Sequence, residues 1–325
     1  MPDKQPLASA GGNPEVRHLK VAGDFAGQRL DNFLARELKG VPRGHIYRLL
    51  RTGQVRVNGG RRKPDYRLEA GDEVRVPPVR VAERTTPVGP LRRGSAVLEG
   101  GILHEDESLL VVNKPSGLPV HGGSGLDGGL IEALRQLRGE PGLELAHRLD
   151  RDTSGCLVIA RKRSALRALH AAFREGRVEK RYLALVAGKV PRPFTSKAPL
   201  ERFVKRGGER HVVVTEAGRA ARTRFRPLAR GDDFTLVEAL PDTGRTHQIR
   251  VHATHSGHPI AGDPRYGDKV LNQNLRRLGL RRLALHAAGL SFEHPRSGER
   301  LSFTAPLPAD LLPAVTKLTG YQPED

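Results

Sequence analysis

The sequence predicts an α+β protein in two parts, a small N-terminal module (residues 21–85) and a larger domain (residues 101–325). Three observations carry this. Within residues 21–80, apolar positions at helical spacing give way to strand alternation. After residue 101, strand-like runs outnumber helices and follow no regular strand–helix–strand order. Between the two parts, residues 81–100 mix Pro, Gly and Arg without apolar periodicity, which places a linker at 86–100. The sequence has no internal repeat.

Taken in order, residues 1–20 are polar and glycine-containing and read as a disordered tail. Leu30, Phe33, Leu34 and Leu38 then fall on one helical face. Ile46, Leu49 and Leu50 mark a second short helix, ended by Thr52 and Gly53. Val55 and Val57 alternate with Gln54 and Arg56 as in a strand, and Asn58-Gly59 is a strong hairpin turn. A further strand at 74–76 closes at Pro77 and Pro78. The larger domain opens with an apolar strand at 109–112 that runs into Asn113-Lys114-Pro115-Ser116-Gly117. Strand-like runs follow at 156–160, 182–186, 234–240, 283–286, 290–292 and 301–303. A helix from Ser164 to about Glu175 buries Leu166, Leu169 and Phe173, with Ser164 as its cap and Gly176 after its end.

Lys and Arg total 55 against 36 Asp and Glu, a net +19 with histidine neutral. Such an imbalance points to a polyanionic partner, nucleic acid first, although charge of this kind also serves solubility. The bias of 43 Arg to 12 Lys suits bidentate phosphate contacts, but a genome rich in G and C produces it too. No run approaches the ~18 apolar residues of a membrane helix, and residues 1–12 hold no signal-peptide core. A single cysteine, Cys156, excludes an intrachain disulfide and a cysteine-based zinc site. The expectation is a cytoplasmic protein with no membrane partner. Without Trp, and with 14 Phe and Tyr in all, nucleic-acid binding would lean on charge and shape more than on stacking.

Between Asp24 and Arg80 there are 13 basic and 7 acidic residues. Arg43, Arg48 and Arg51 belong to the second helix, while Arg56, Arg61, Arg62 and Lys63 surround the hairpin. This module resembles an S4 RNA-binding domain, most clearly in the run from Arg48 to Gly59. The resemblance implies that helix and hairpin grip structured RNA through its phosphates.

The most informative segment is His147-Arg148-Leu149-Asp150-Arg151-Asp152-Thr153-Ser154-Gly155. By residue type alone it sets carboxylates between arginines in a glycine-terminated loop before an apolar strand. Such a carboxylate is either a salt-bridged structural turn or an activated nucleophile. The pattern H-R-L-D-x-x-T-S-G resembles the signature of the RluA-type pseudouridine synthases, without a mismatch. That resemblance implies Asp150 as nucleophile, Arg148 as the residue that stabilises a displaced nucleotide, and Asp152 as a loop-stabilising acceptor. It extends to Asn113–Gly117, a structural loop beside the site; to Lys180-Arg181-Tyr182-Leu183-Ala184, whose Tyr182 would pack on the target base; and to Gly244-Arg245-Thr246-His247-Gln248-Ile249-Arg250-Val251-His252, whose Arg250 would pair with the carboxylate. Leu285-His286-Ala287-Ala288 also fits. The fold it implies is a mixed, largely antiparallel sheet. The N-terminal wording at 39–42 and 78–82 resembles members acting on large-subunit ribosomal RNA, so the expected partner is 23S ribosomal RNA or a large-subunit precursor, met by a monomer.

The chemistry asks for these residue types. Pseudouridine formation breaks the N1–C1′ bond, turns the uracil and rejoins it through C5, needing no metal, redox group or donor; no cofactor is expected. It does need an ionised carboxylate, whether that group attacks C1′, attacks C6 or takes the 2′ proton. A guanidinium nearby favours a charged carboxylate, and Arg250, four residues after Thr246 as a helix cap, could be aimed by the first turn. The base must first leave its stack, at a cost of a few kcal/mol.

Other signals are discounted. His247, His252, His255 and His258 read as helix-packing or RNA-facing groups, since a metal would want further ligands. The glycines at 122–129 lack a phosphate-loop pattern, Ser154 lies outside a nucleophile elbow, and Cys156 reads as inert core. The alternative function is a non-catalytic ribosome-assembly RNA-binding protein, which explains the charge but not an intact nucleophile motif. An RNA helicase or ligase fails for want of a phosphate loop or adenylation lysine.

Overall fold

The computed structural model describes residues 15–38, 41, 43–79, 101–122, 128–204 and 210–323. The chain divides into two units, Met1–Pro87 and Val88–Asp325.

In the first unit, β1 (Arg17–Lys20), α1 (Leu30–Glu37), α2 (Arg43–Arg51), β2 (Arg56–Val57) and β3 (Glu73–Val76) enclose a core that includes Leu30, Leu34, Ile46, Val57 and Val74. The strands form an antiparallel sheet in the order β1-β3-β2. Residues 17–20 are therefore not part of a tail: their backbone pairs with β3, from Arg17 opposite Val76 to Lys20 opposite Glu73. Polar side chains hide such a strand, because its outward positions and backbone bonds are indifferent to hydropathy. The Asn58-Gly59 turn is present, both residues at positive φ (50° and 74°). Val57 and Gly60 close it through reciprocal backbone hydrogen bonds (2.9 and 3.0 Å), but beyond that one bridge the partner of β2 is β3, with Val57 opposite Val74. Most of the expected tail, the linker at 86–100, the signature segments at 39–40 and 80–82, and the glycines at 123–125 lie outside the described residues.

In the second unit a mixed sheet of ten strands runs β4 (Ile102–Glu105), β5 (Leu109–Lys114), β7 (Ser154–Ala160), β14 (Leu285–Glu293), β8 (Glu179–Ala187), β13 (Phe234–Pro241), β12 (Thr223–Arg230), β9 (Phe194–Ser196). β6 (Glu144–Leu145) pairs with β7, and β15 (Arg300–Thr304) with β14. Every pairing among the described strands is antiparallel except β7 with β14. β10 (Leu200–Val204) and β11 (Arg210–Val214) form a separate ribbon.

Alternation along β5 and β7 decides which helix covers which face. Leu110, Val112, Leu157 and Ile159 meet Leu130, Ile131 and Leu134 of α3 (Leu130–Arg138). Leu109, Val111, Cys156 and Val158 meet Ala165 and Leu169 of α4 (Arg163–Arg174) on the other side. Strands buried on both faces read as unbroken apolar runs, which is why these two were legible. α5 (Gln248–His255), α6 (Lys269–Arg277) and α7 (Leu312–Thr319) contribute to a third cluster with β8 and β13. Ser164 does not cap α4: the chain is extended at Lys162 and already helical at Arg163, so Ser164 is the second helical residue. The second half of the run at 283–286 and the whole run at 290–292 belong to one strand, β14, which starts at Leu285 and whose register against β8 shifts between His286 and Gly289.

Candidate active site

Asp150 sits in the loop between β6 and β7, four residues before the only parallel junction among the described strands, where His286 faces Ser154 and Ala287 faces Gly155. Gly155 has φ 111°, and a Cβ there would overlap the Ala287 backbone. Glycine at this place is thus a condition for the strands to meet.

The first motif clamps this loop from behind. Lys114, fully buried, donates to the carbonyls of Pro115 (2.9 Å), Leu118 (2.8 Å) and Arg151 (2.9 Å). Ser116 donates to the carbonyl of Asp152 at 2.7 Å, and the Gly117 N–H to that of Arg151 at 2.9 Å. Burial pushes the Lys114 ammonium down to about 7, with Asp152 and Asp150 opposing. Its three carbonyl contacts also favour the protonated form, since neutral lysine has fewer hydrogens to give. On the strand side, the Ser154 hydroxyl meets His286 Nδ1 at 2.8 Å and accepts from Arg282 at 2.6 Å.

The arginine comes from across the sheet. The turn at 243–247 folds around the buried Gln248, whose Oε1 accepts from the Thr243 hydroxyl (2.7 Å) and the Arg245 N–H (3.0 Å). Its amide donates to Arg222 O and Thr223 Oγ1. The helix does not begin on Thr246: α5 starts at Gln248, and its N-cap, His247, is held left-handed at φ 53°, ψ 18°. Two residues into α5, Arg250 donates from Nε and Nη2 to Asp263 at 2.7 and 2.8 Å and from Nη1 to Asp150 Oδ2 at 3.4 Å. Arg250 and Asp263 side chains are 5% and 1% exposed, that of Asp150 20%. The anchored end of the pair is sealed and the Asp150 end stays open.

Burial opposes charge on both partners of the sealed pair. For Arg250, the hydrogen bonds and charge of Asp263, with Asp150 behind, more than offset it. Asp263 is likewise held below the usual carboxylate range by Arg250, and accepts the Arg265 and Tyr266 N–H groups at 2.9 and 3.1 Å. Tyr266 lays its ring over the Arg250 guanidinium, 5.0 Å from the ring centre.

Tyr182 is on β8, opposite Ala239 of β13, and packs against two of the apolar clusters. Burial first, and then the charge of Asp150, push its phenol above the ordinary value, so it remains a proton donor. Asp150 and Arg250 are thus brought into contact from separate elements, with Tyr182 of a third near enough for the Asp150 charge to act on its phenol. Arg148 is exposed, two residues before Asp150, and forms no ion pair with Asp152 among the described residues.

Sequence reading missed Asp263, Tyr266 and His247. His247 is not simply helix packing or RNA-facing: its Nδ1 meets the Tyr266 hydroxyl at 2.7 Å and its Nε2 lies 3.8 Å from Asp150 Oδ2. His252 is structural, spending its nitrogens on Thr223 and the Ala198 carbonyl. Among the described residues no group of three His, Cys, Asp or Glu could hold a metal, and no helix is long and apolar enough to cross a membrane. Cys156 is buried and its thiol is pushed up to about 11 by burial.

In the N-terminal unit, Arg48, Arg51, Arg61, Arg62 and Lys63 line one cleft of about 600 Å³ together with Gly44, Tyr47, Leu50 and Pro64. Arg56 stands apart from that lining and donates to the Gly59 carbonyl at 3.1 Å. The Arg43 side chain lies outside the described residues, although its backbone opens α2.

Two family profiles match the chain: RNA pseudouridylate synthase over residues 108–255 and the S4 domain over residues 28–74. The ribosomal large subunit pseudouridine synthase C of Pasteurella multocida is 54% identical over 302 residues, covering 92% of this chain and 93% of that protein. The protein of the same name from Escherichia coli (strain K12) is 53% identical over 310 residues, 94% of this chain and 97% of that one. Among solved structures, human RNA pseudouridylate synthase domain containing 4 superposes with a TM-score of 0.57 at 29% identity, covering 70% of this chain and 96% of that one.

Proposed function

The chain belongs to the RNA pseudouridylate synthase family, and on that premise we propose that it converts uridines of large-subunit ribosomal RNA to pseudouridine, with Asp150 engaging the nucleoside. One arrangement supports this most: a carboxylate left partly open while its guanidinium partner is buried and anchored by a second carboxylate. Such an arrangement keeps a charged oxygen pre-aimed by fixed protein groups, at a position a substrate can reach. The carboxylate attacks C1′ or C6, or takes the 2′ proton, and the N1–C1′ bond breaks; after the uracil turns and C5 bonds to C1′, the carboxylate is released (or the 2′ proton returned) and the C5 proton leaves. Tyr182 covers the extruded base with its ring, and Arg148, exposed beside the loop, stabilises the displaced nucleotide. The five-cation cleft of the N-terminal unit holds RNA phosphates.

The experiment follows from the proton balance. A ribosomal RNA fragment carrying tritium at uridine C5 releases it only when the C5–C1′ bond forms. The purified protein is expected to release tritium, and Asp150→Asn to release none while binding the same RNA. No release by the wild type on any large-subunit fragment would sink the reading; release by Asp150→Asn would sink the assignment of Asp150.

A further inference from the structure

We propose that His247 is a positioning residue which, as a neutral imidazole with its proton on Nε2, shares with Arg250 the task of holding Oδ2 of Asp150, leaving Oδ1 as the oxygen that meets the nucleoside. This rests on the reading of Asp150 given above.

Hydrogen-bond accounting favours one tautomer. The Tyr266 hydroxyl accepts the Val212 N–H at 3.0 Å and lies 2.7 Å from His247 Nδ1. Were Nδ1 the donor, the hydroxyl would accept from both neighbours and its own proton would have no protein acceptor among the described residues; with Nδ1 accepting, that proton is used. With Nδ1 accepting, the ring proton is on Nε2, the nitrogen 3.8 Å from Asp150 Oδ2. Burial, reinforced by the guanidiniums of Arg250 and Arg265 and opposed by Asp150, pushes the imidazole down to about 4, so the ring is uncharged at neutral pH.

Geometry then divides the two carboxylate oxygens. Arg250 Nη1 at 3.4 Å and His247 Nε2 at 3.8 Å both converge on Oδ2, and no protein donor reaches Oδ1 among the described residues. The longer contact is one that tightens when substrate excludes water, as catalytic contacts commonly do. Backbone conformation points the same way. His247 is one of two described non-glycine residues at positive φ. Left-handed backbone in a residue other than glycine is costly and tends to be kept where it aims a side chain. Here the ring is inserted between Tyr266 and Asp150.

Two substitutions separate aiming from folding. In His247→Asn the short amide can accept from Tyr266 in place of Nδ1 but cannot reach Asp150, and Asn tolerates the left-handed region better than His. In His247→Gln the amide nitrogen reaches the place of Nε2. The expected result for His247→Asn is an unchanged melting temperature and KM with kcat lowered about 10- to 100-fold, the range of one hydrogen bond to a charged group. His247→Gln should restore most of that loss. A folded His247→Asn with wild-type kcat overturns the proposal, as does His247→Gln falling as far as Asn. Should His247→Asn fail to fold, Tyr266→Phe asks the same question by releasing Nδ1: kcat falls with KM unchanged if the proposal holds, and unchanged kcat overturns it. Wild-type enzyme run beside these variants distinguishes failure here from failure of the pseudouridine reading, since only the latter leaves the wild type inactive.

Discussion

Arg250→Ala removes the guanidinium from a pair whose side chains are 5% and 1% exposed. Asp263 would keep its two backbone N–H donors but lose both charged ones. Breaking a buried pair from one side costs about 3–5 kcal/mol, because a charge is left without its partner. For a unit of more than 200 residues, each kcal/mol moves the melting temperature by about 2–4 °C, so a fall of roughly 6–20 °C is expected. The lost half of the pair is also visible in pH. The Asp263 carboxyl is depressed in the folded protein, so its contribution is present above the unfolded value near 4 and vanishes as pH falls through the lower folded value. The gap in melting temperature between wild type and Arg250→Ala should therefore be full at pH 7 and narrow below about pH 4. The assay is calorimetry of Arg250→Ala, Asp263→Ala and the double variant at pH 7 and pH 3. The double variant should be less damaged than the sum of the singles, because neither leaves an orphaned charge in the other's absence. Additive losses, or a gap of equal size at both pH values, would refute the reasoning. Turnover should also fall severely, since Asp150 loses its 3.4 Å partner.

Three further outcomes follow from the same geometry. Tyr182→Phe tests the phenol, a donor kept protonated by burial and Asp150, and Tyr182→Leu tests the ring; single-turnover kinetics should show a loss in both, larger for Leu, and a wild-type rate in Leu would reduce Tyr182 to core. Lys114→Met keeps the volume but strips a charged donor from three carbonyls; that of Arg151 keeps the Gly117 N–H, while those of Pro115 and Leu118 lose their donor, at about 1–3 kcal/mol for each buried acceptor left unsatisfied. A melting temperature equal to wild type would show that Lys114 does not brace the Asp150 loop. Replacing Arg51, Arg61 and Arg62 by Ala should flatten the plot of log affinity against log salt for ribosomal RNA by about 0.7–0.9 for each phosphate no longer neutralised, with the chemical rate at saturating RNA preserved; an unchanged slope would show that the cleft does not hold phosphates.

What the sequence determined by itself was what is local. β5 and β7 announce themselves because burial on both faces requires an unbroken apolar run. The turn Asn58-Gly59 is legible because few residues accept positive φ twice in succession. The motif around Asp150 is contiguous, so its resemblance could be read without coordinates. Strands such as β1 and β12 escaped, the first because its backbone pairing leaves no apolar trace, the second because Pro227 and a register shift interrupt its alternation of Arg with buried residues. The resemblance had already paired Arg250 with Asp150 across 100 residues; only the tertiary structure decided which further groups surround Asp150. The anchor Asp263 and Tyr266 lie outside the motifs, and His247, though inside one, is not marked there as a neighbour of the carboxylate. Their roles come from burial and from the distribution of donors over two carboxylate oxygens. Those are properties of atoms brought together by packing, which periodicity and spacing along the chain do not encode.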